Sequence, residues 1–187
     1  MTKTMSKLKT KPLPGDLSEE ETIESMIRVN HAGEFGAKRI YEGQLAFIKD
    51  AAAKAMIQEM AEQEEAHLQY FDDEIKARKV RPTVLQPIWH LGGFALGAVT
   101  AMMGKEAAMA CTVAVESVID EHYTEQEEML GKGEKKLKSK ITQFRAEEQE
   151  HHDTGLAEGA EEAVAYPVLT AGIRGITKLA IELSKKV

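Results

Sequence analysis

Two Glu-x-x-His pairs, Glu64 with His67 and Glu148 with His151, are the residues of this chain best placed to do chemistry. Each pair sits in an apolar register. Ile57, Met60, Glu64, His67 and Phe71 follow a 3, 4, 3, 4 spacing, and Ile141, Phe144, Glu148 and His151 follow 3, 4, 3. On a helix that spacing makes one stripe, so both pairs turn toward a core, and their i, i+3 separation lets both side chains reach one point. Glutamate is so frequent here that the pairs alone carry little weight. Glu34, in VNHAGEFGA, and Glu116, in ACTVAVESVI, add to it, each the lone charge among small or apolar neighbours. Aligning Glu34 with Glu116 also aligns Tyr41 with Tyr123, a weak internal duplication with a period of about 83 residues. In each half, a helix with one inward glutamate precedes a helix with an inward Glu-x-x-His.

Four carboxylates and two imidazoles cannot share a core ionised and unpaired; each would cost several kcal/mol or shift its pKa until it was neutral. Two divalent cations would balance the four carboxylates. Four Glu and two His from two plain helices and two Glu-x-x-His helices are the ligand set of ferritin-like di-iron and di-manganese bundles. Mixed oxygen and imidazole ligands suit iron or manganese better than structural zinc, magnesium or calcium. The neighbouring polar groups are weaker candidates. Glu59, Glu62, Glu65, Glu147 and Glu150 are expected on the surface. His152 is expected to support a ligand or face solvent, and Asp153 either to orient a ligand histidine or to be a solvated acid. His122 and Tyr123 are candidate substrate contacts, although core packing accounts equally for Tyr123 and Tyr41. His31 and His90 are read as structural.

Helices must position these groups, and the periodicity supplies them. Ser18-Glu-Glu-Glu is a capping box opening a helix to about Ile48, and a second runs from about Asp50 to Lys79, before Arg81-Pro82. A helix over about Lys105 to Leu130 and another over about Lys136 to Glu161 follow, and Pro167 starts a final apolar segment. Nothing reads as a strand. The expected fold is all-α: a ferritin-like four-helix bundle with an additional apolar helical segment (about 82–104) and a C-terminal apolar helix. A disordered basic tail over residues 1–15, carrying Lys3, Lys7, Lys9 and Lys11, precedes a single domain over 16–187 whose halves are about 18–80 and 105–161.

Composition bounds the function. Charged residues are 29%, aromatics 5%, and the net charge of −7 argues against a nucleic-acid partner. The single cysteine, Cys111, allows no internal disulfide and suits a reducing compartment. The leader lacks an apolar h-region, so no secretory signal is read. Residues 82–104 hold no Asp, Glu, Lys or Arg, and Pro87, Gly92, Gly93 and Gly97 interrupt them. The segment is long enough to span a membrane, yet one crossing would put the two halves of the site on opposite sides. It is therefore expected to enter and return or to lie in the interface, flanked by the Arg81 cluster and Lys105, with a buried core helix as the plainer reading. The stretch Ala163–Ile181 is a candidate for the same surface.

The segments RVNHAGEFGAKRIYEGQ (28–44), EQEEAHLQYF (62–71), ACTVAVESVIDEHY (110–123) and FRAEEQEHHDTGL (144–156) resemble the demethoxyubiquinone hydroxylases. All six positions that bind iron in that family are filled here, by Glu34, Glu64, His67, Glu116, Glu148 and His151. The resemblance selects iron. It implies a di-iron monooxygenase of ubiquinone biosynthesis, with Glu64 and Glu148 bridging two Fe ions and Glu34 and Glu116 terminal. Its reaction hydroxylates the ring of a polyprenylated demethoxyubiquinol with O₂; one oxygen atom leaves as water, and NADH is the expected electron source. The chain has no Gly-rich dinucleotide fingerprint for that donor. The family also implies a peripheral membrane location, on the cytoplasmic face of the inner membrane in a bacterium or the matrix face in a mitochondrion. A homo-oligomer and an accessory lipid-binding protein are left open as partners. A ferritin- or rubrerythrin-like bundle that oxidises iron or reduces peroxide is the competing class, since it would use the same ligands. A non-enzymatic membrane-associated helical protein is the third.

Overall fold

A computed structural model describes residues 15–187; the expected basic tail lies, but for Gly15, outside the described residues. Six α-helices account for the architecture: α1 (Glu19–Phe47), α2 (Ala51–Arg78), α3 (Gln86–Met103), α4 (Lys105–Met129), α5 (Lys135–Ala157) and α6 (Tyr166–Ser184). No strand occurs among the described residues. The first helix opens on the capping box read from sequence: the Ser18 hydroxyl accepts from the Glu21 N–H, and the Glu21 carboxylate accepts from the Ser18 N–H at 2.8 Å. Asp50 caps α2 by accepting from Ala53 N–H at 2.7 Å.

Short connections make α1–α2 and α4–α5 two antiparallel hairpins that face each other as a four-helix bundle. Helices α3 and α6 pack outside it, α3 chiefly on α1 and α6 chiefly on α4. Wrapped by α3, α5 and α6, the first half of α4 is fully buried from Ala108 to Cys111. Two apolar clusters fill the bundle. One gathers Tyr41, Ile57, Met60, Met109 and Val113, and the other gathers Ile27, Phe71, Tyr123, Ile141 and Phe144. Glu64 and His67 lie on α2 between Met60 and Phe71, and Tyr41 and Tyr123 each belong to one cluster, so the polar groups sit between two apolar plugs.

The 82–104 segment departs from one expectation. It does not double back: α3 is one continuous helix, and its glycines do not interrupt it. Gly93 and Gly97 instead allow α1 and α3 to touch backbone to backbone. A Cβ on Gly97 would strike the Ile40 carbonyl, and one on Gly43 would strike the Phe94 carbonyl. Nor is α3 a core helix throughout, for Ile88, Leu91, Val99 and Met102 are exposed. Among the described residues no helix is long and apolar enough to cross a membrane. The fifth helix also ends earlier than expected, at Ala157, because Gly159 turns left-handed at φ 89°.

The glycines make a stability test. Gly97→Ala should destabilise by about 1–3 kcal/mol in chemical denaturation, because the α1–α3 crossing must open. Gly172→Ala, exposed in α6 with nothing near the added methyl, should stabilise by about 0.5–1 kcal/mol.

Candidate metal centre

All six predicted ligands are buried; Glu64 is 0% and Glu34, the most accessible, 3% exposed. They fall into two overlapping groups. Glu34, Glu64, His67 and Glu148 each offer a ligand atom within 4.8 Å of the others, and so do Glu64, Glu116, Glu148 and His151. Glu64 and Glu148 belong to both. Glu34 comes from α1, Glu64 and His67 from α2, Glu116 from α4, and Glu148 and His151 from α5, one half of the duplication per hairpin.

Both imidazoles turn Nδ1 into the cluster. His67 Nδ1 lies 3.1 Å from Glu148 Oε1 and 3.5 Å from Glu34 Oε2. His151 Nδ1 lies 3.3 Å from Glu148 Oε2 and 3.4 Å from Glu64 Oε1, without hydrogen-bond geometry. Both oxygens of Glu64, Oε2 of Glu116 and Oε2 of Glu148 also have no hydrogen-bond partner. Buried oxygens orphaned together and pointing at one another are unstable as bare anions. They are the donor set that divalent cations would satisfy, so the residues fit a two-metal site.

Each half of the chain holds the predicted ligands of the other. The Tyr41 hydroxyl donates to Glu116 Oε1 at 2.8 Å, and Tyr123 donates to Glu34. Burial and the neighbouring carboxylates hold both phenols well above their ordinary pKa, so they stay neutral donors. Outward, His67 Nε2 lies 2.6 Å from Glu147 Oε2 and His151 Nε2 lies 2.5 Å from Gln63 Oε1. Glu147 thus corrects one expectation: it is not a bare surface acid but a half-buried partner of His67. Its signal was its position, for Glu147 and Gln63 each immediately precede a shared glutamate. Of the two readings of Asp153 the solvated acid holds, since it is exposed and meets His152 at 3.1 Å. Glu59, Glu62, Glu65 and Glu150 are exposed as expected. Buried His31 pairs with Asp72 at 3.0 Å, and exposed His90 stacks on Phe35. His122 Nε2 faces the Gln126 side-chain nitrogen at 2.6 Å, while Gln126 and Asn30 exchange two hydrogen bonds. Burial, then the charge of Lys185, pulls the His122 imidazole down to about 4.

An apolar cavity of about 400 Å³ lies on the other side of α1 and α4, covered by α3 and α6. Its lining includes Val29, Gly33 and Ala37 of α1, Trp89 and Leu96 of α3, Val115 and Ile119 of α4, and Ile176 and Ile181 of α6. Gly33 and Val115 immediately precede Glu34 and Glu116, so the same two helices present the cluster on one face and the cavity on the other. A Cβ on Gly33 would approach Ile119 Cδ1 at 3.8 Å. The Trp89 indole N–H donates to Ser184 Oγ at 3.2 Å and ties α3 to α6.

Without cations the cluster must hold protons. Burial, then Glu148 beside them, pushes Glu64 and Glu116 well above the ordinary carboxylate range. Burial opposes ionisation of Glu148 as well, yet the imidazoles of His151 and His67 beside it bring it down to about 2. Burial alone would lower His67, but Glu148 and Glu34 carry it up to about 12. The folded, metal-free protein therefore retains protons on Glu64 and Glu116 as pH rises above 4.5, and on His67 as it rises above 6.5, where the unfolded chain releases them, so its stability falls as pH rises. The Glu148 contribution is lost only below pH 4.5, as pH falls toward about 2. We expect unfolding free energy to drop by about 1.4 kcal/mol per pH unit for each retained proton. Glu64→Gln should flatten that slope, and ferrous or manganous ions should reverse it because their binding displaces the protons. Denaturation at several pH values, with and without metal, measures both.

The family described as "Ubiquinone biosynthesis protein COQ7" matches residues 21–184. The chain is 50% identical over 176 residues to a 3-demethoxyubiquinol 3-hydroxylase of Rhodospirillum rubrum, covering 94% of this chain and 83% of the relative. It is 48% identical over 168 residues to a human NADPH-dependent 3-demethoxyubiquinone 3-hydroxylase, mitochondrial, covering 88% and 77%. A 5-demethoxyubiquinone hydroxylase, mitochondrial, of Saccharomyces cerevisiae is 39% identical over 182 residues, covering 88% and 78%.

Proposed function

The chain belongs to the COQ7 family of ubiquinone biosynthesis proteins, and from that premise we propose how its buried cluster serves the family's reaction. The protein is an oxidoreductase that hydroxylates demethoxyubiquinol in ubiquinone biosynthesis. Glu34, Glu64, His67 and Glu148 would hold one iron ion, Glu64, Glu116, Glu148 and His151 the other, with Glu64 and Glu148 shared. Iron bound there would supply activation of O₂, with one oxygen atom entering the quinol ring and the other reduced to water by two electrons and two protons. The observation that carries this reading is the pair of overlapping four-ligand groups, buried and short of hydrogen bonds, backed by an apolar cavity.

The protein's own groups set the conditions. The apolar plugs on either side of the cluster keep bulk water away from it. Tyr41 and Tyr123 each engage one oxygen of a terminal glutamate, which fixes how these carboxylates present their other oxygen. The cavity takes the apolar body of the quinol, and its ring would approach the cluster past Gly33 and Val115, the wall residues immediately before Glu34 and Glu116. His122 and Tyr123 are the proposed contacts for the ring's polar substituents. A neutral His122 offers a hydrogen bond without the cost of a buried charge. The electron source is a reduced nicotinamide nucleotide; the names of the mammalian relatives specify NADPH where the sequence reading favoured NADH.

The outer helices suit a peripheral position on the membrane that dissolves the substrate. Leu91 of α3 is 71% exposed and Val168 of α6 is 74% exposed, and both helices border the cavity. That position is the inner membrane, on its cytoplasmic face in a bacterium and its matrix face in a mitochondrion. A ferritin- or rubrerythrin-like activity would use the same ligands but gives no role to a cavity of this character, and it is not favoured.

Expression in a host lacking its own hydroxylase tests the function. The wild-type chain should convert accumulated demethoxyubiquinone to a product richer by one oxygen atom, read by mass spectrometry of the extracted quinones. Glu148→Ala should leave the precursor unconverted. Gly33→Leu should lower conversion about tenfold, corresponding to about 1.4 kcal/mol, while metal content is unchanged. Persistence of the precursor beside folded, iron-loaded wild-type protein would contradict the hydroxylase reading. For the membrane, Leu91→Asp combined with Val168→Asp should reduce co-sedimentation with anionic vesicles without changing helicity.

A further inference from the structure

We propose that the two metal positions are unequal by construction: the ion held by Glu34 and His67 binds about ten- to a hundredfold more tightly than the ion held by Glu116 and His151. This rests on the two-metal reading of the cluster and goes beyond it by ranking the two positions.

The duplication makes the comparison a controlled one. Glu34 matches Glu116, Tyr41 matches Tyr123, Glu64 matches Glu148, and His67 matches His151. The hydrogen bonds cross in the same manner on both sides, Tyr41 to Glu116 and Tyr123 to Glu34. Among these matched polar groups only one pair differs in chemistry. The outward Nε2 of His67 meets the carboxylate of Glu147 at 2.6 Å, whereas the outward Nε2 of His151 meets the amide oxygen of Gln63 at 2.5 Å.

With Nδ1 of each ring directed inward, Nε2 carries the ring proton and donates it outward. Donation to an anionic acceptor leaves more electron density on the inward nitrogen than donation to a neutral amide. His67 is therefore the stronger ligand, and the Glu147 charge adds attraction for the cation beside it. Glu147 is also held in place, since its other oxygen accepts from Gln143 Nε2 at 2.9 Å. Glu147 and Gln63 touch neither a proposed metal ion nor the cavity, so they are positioning residues that act through the histidines.

Cobalt(II) titration of the metal-free, full-length protein, followed by visible absorption and calorimetry, tests the ranking. The wild type should take up two ions per chain in steps ten- to a hundredfold apart. At one equivalent of cobalt, His151→Ala should keep the tight step and His67→Ala should lose it. Glu147→Gln preserves size and a hydrogen-bond acceptor but removes the charge, and it should close the gap between the steps. The exchange Gln63→Glu with Glu147→Gln should restore the gap with the order reversed, so that His67→Ala now keeps the tight step. A structural role for Glu147 alone would not give that reversal. Two wild-type steps of equal affinity, or a gap unmoved by Glu147→Gln in a protein of unchanged helicity, would overturn the ranking. Failure of the folded wild type to bind two ions would instead overturn the two-metal reading, and the ranking with it.

Discussion

Four carboxylates in a water-free interior need positive charge, and the rest of the molecule is arranged around that need. Nothing in the bundle supplies enough of it. The two imidazoles near them account for at most half, and several carboxylate oxygens still have no partner. A protein that spent its stability this way would gain nothing unless cations completed the cluster. Tight apolar packing above and below the site then serves the same end, because a dry surround strengthens every ion–ligand contact.

The crossed pairing of the two halves has a structural consequence. Each hairpin presents glutamates whose tyrosine partners, and histidines whose outward partners, lie on the other hairpin. Neither hairpin holds a complete site alone, so assembly of the bundle and assembly of the metal positions are one event. Helices α1 and α4 carry the link onward to the substrate. Their inner faces bear Glu34 and Glu116, and their outer faces are small and apolar where the cavity lies. The glycine contacts between α1 and α3 fix the width of that space.

Much of this was legible in the sequence because the features were local or periodic. The capping box at Ser18 and the 3, 4, 3 stripes around Glu64 and Glu148 each involve a few neighbouring residues, and the four proposed ligands on those stripes meet as the stripes require. What escaped depended on tertiary facing. Glu147 and Gln63 lie off the apolar stripe, so periodicity assigned one to solvent and passed over the other; only the opposing helix gives them a role. Asp153 seemed as well placed in sequence to orient a histidine, yet it lies on the outer side of α5. The glycines of α3 looked like breaks because a single sequence cannot reveal that α1 lies against them. The internal duplication sets Gln63 opposite Glu147 as it sets Tyr41 opposite Tyr123, but only the facing helices turn that match into a difference between the two histidines.

Anomalous diffraction at the iron edge, from crystals of the protein loaded anaerobically with ferrous iron, tests the central claim most directly. The account predicts two peaks, one enclosed by Glu34, Glu64, His67 and Glu148 and the other by Glu64, Glu116, Glu148 and His151. An intact bundle with iron elsewhere, or with no anomalous density among these six side chains, would contradict it.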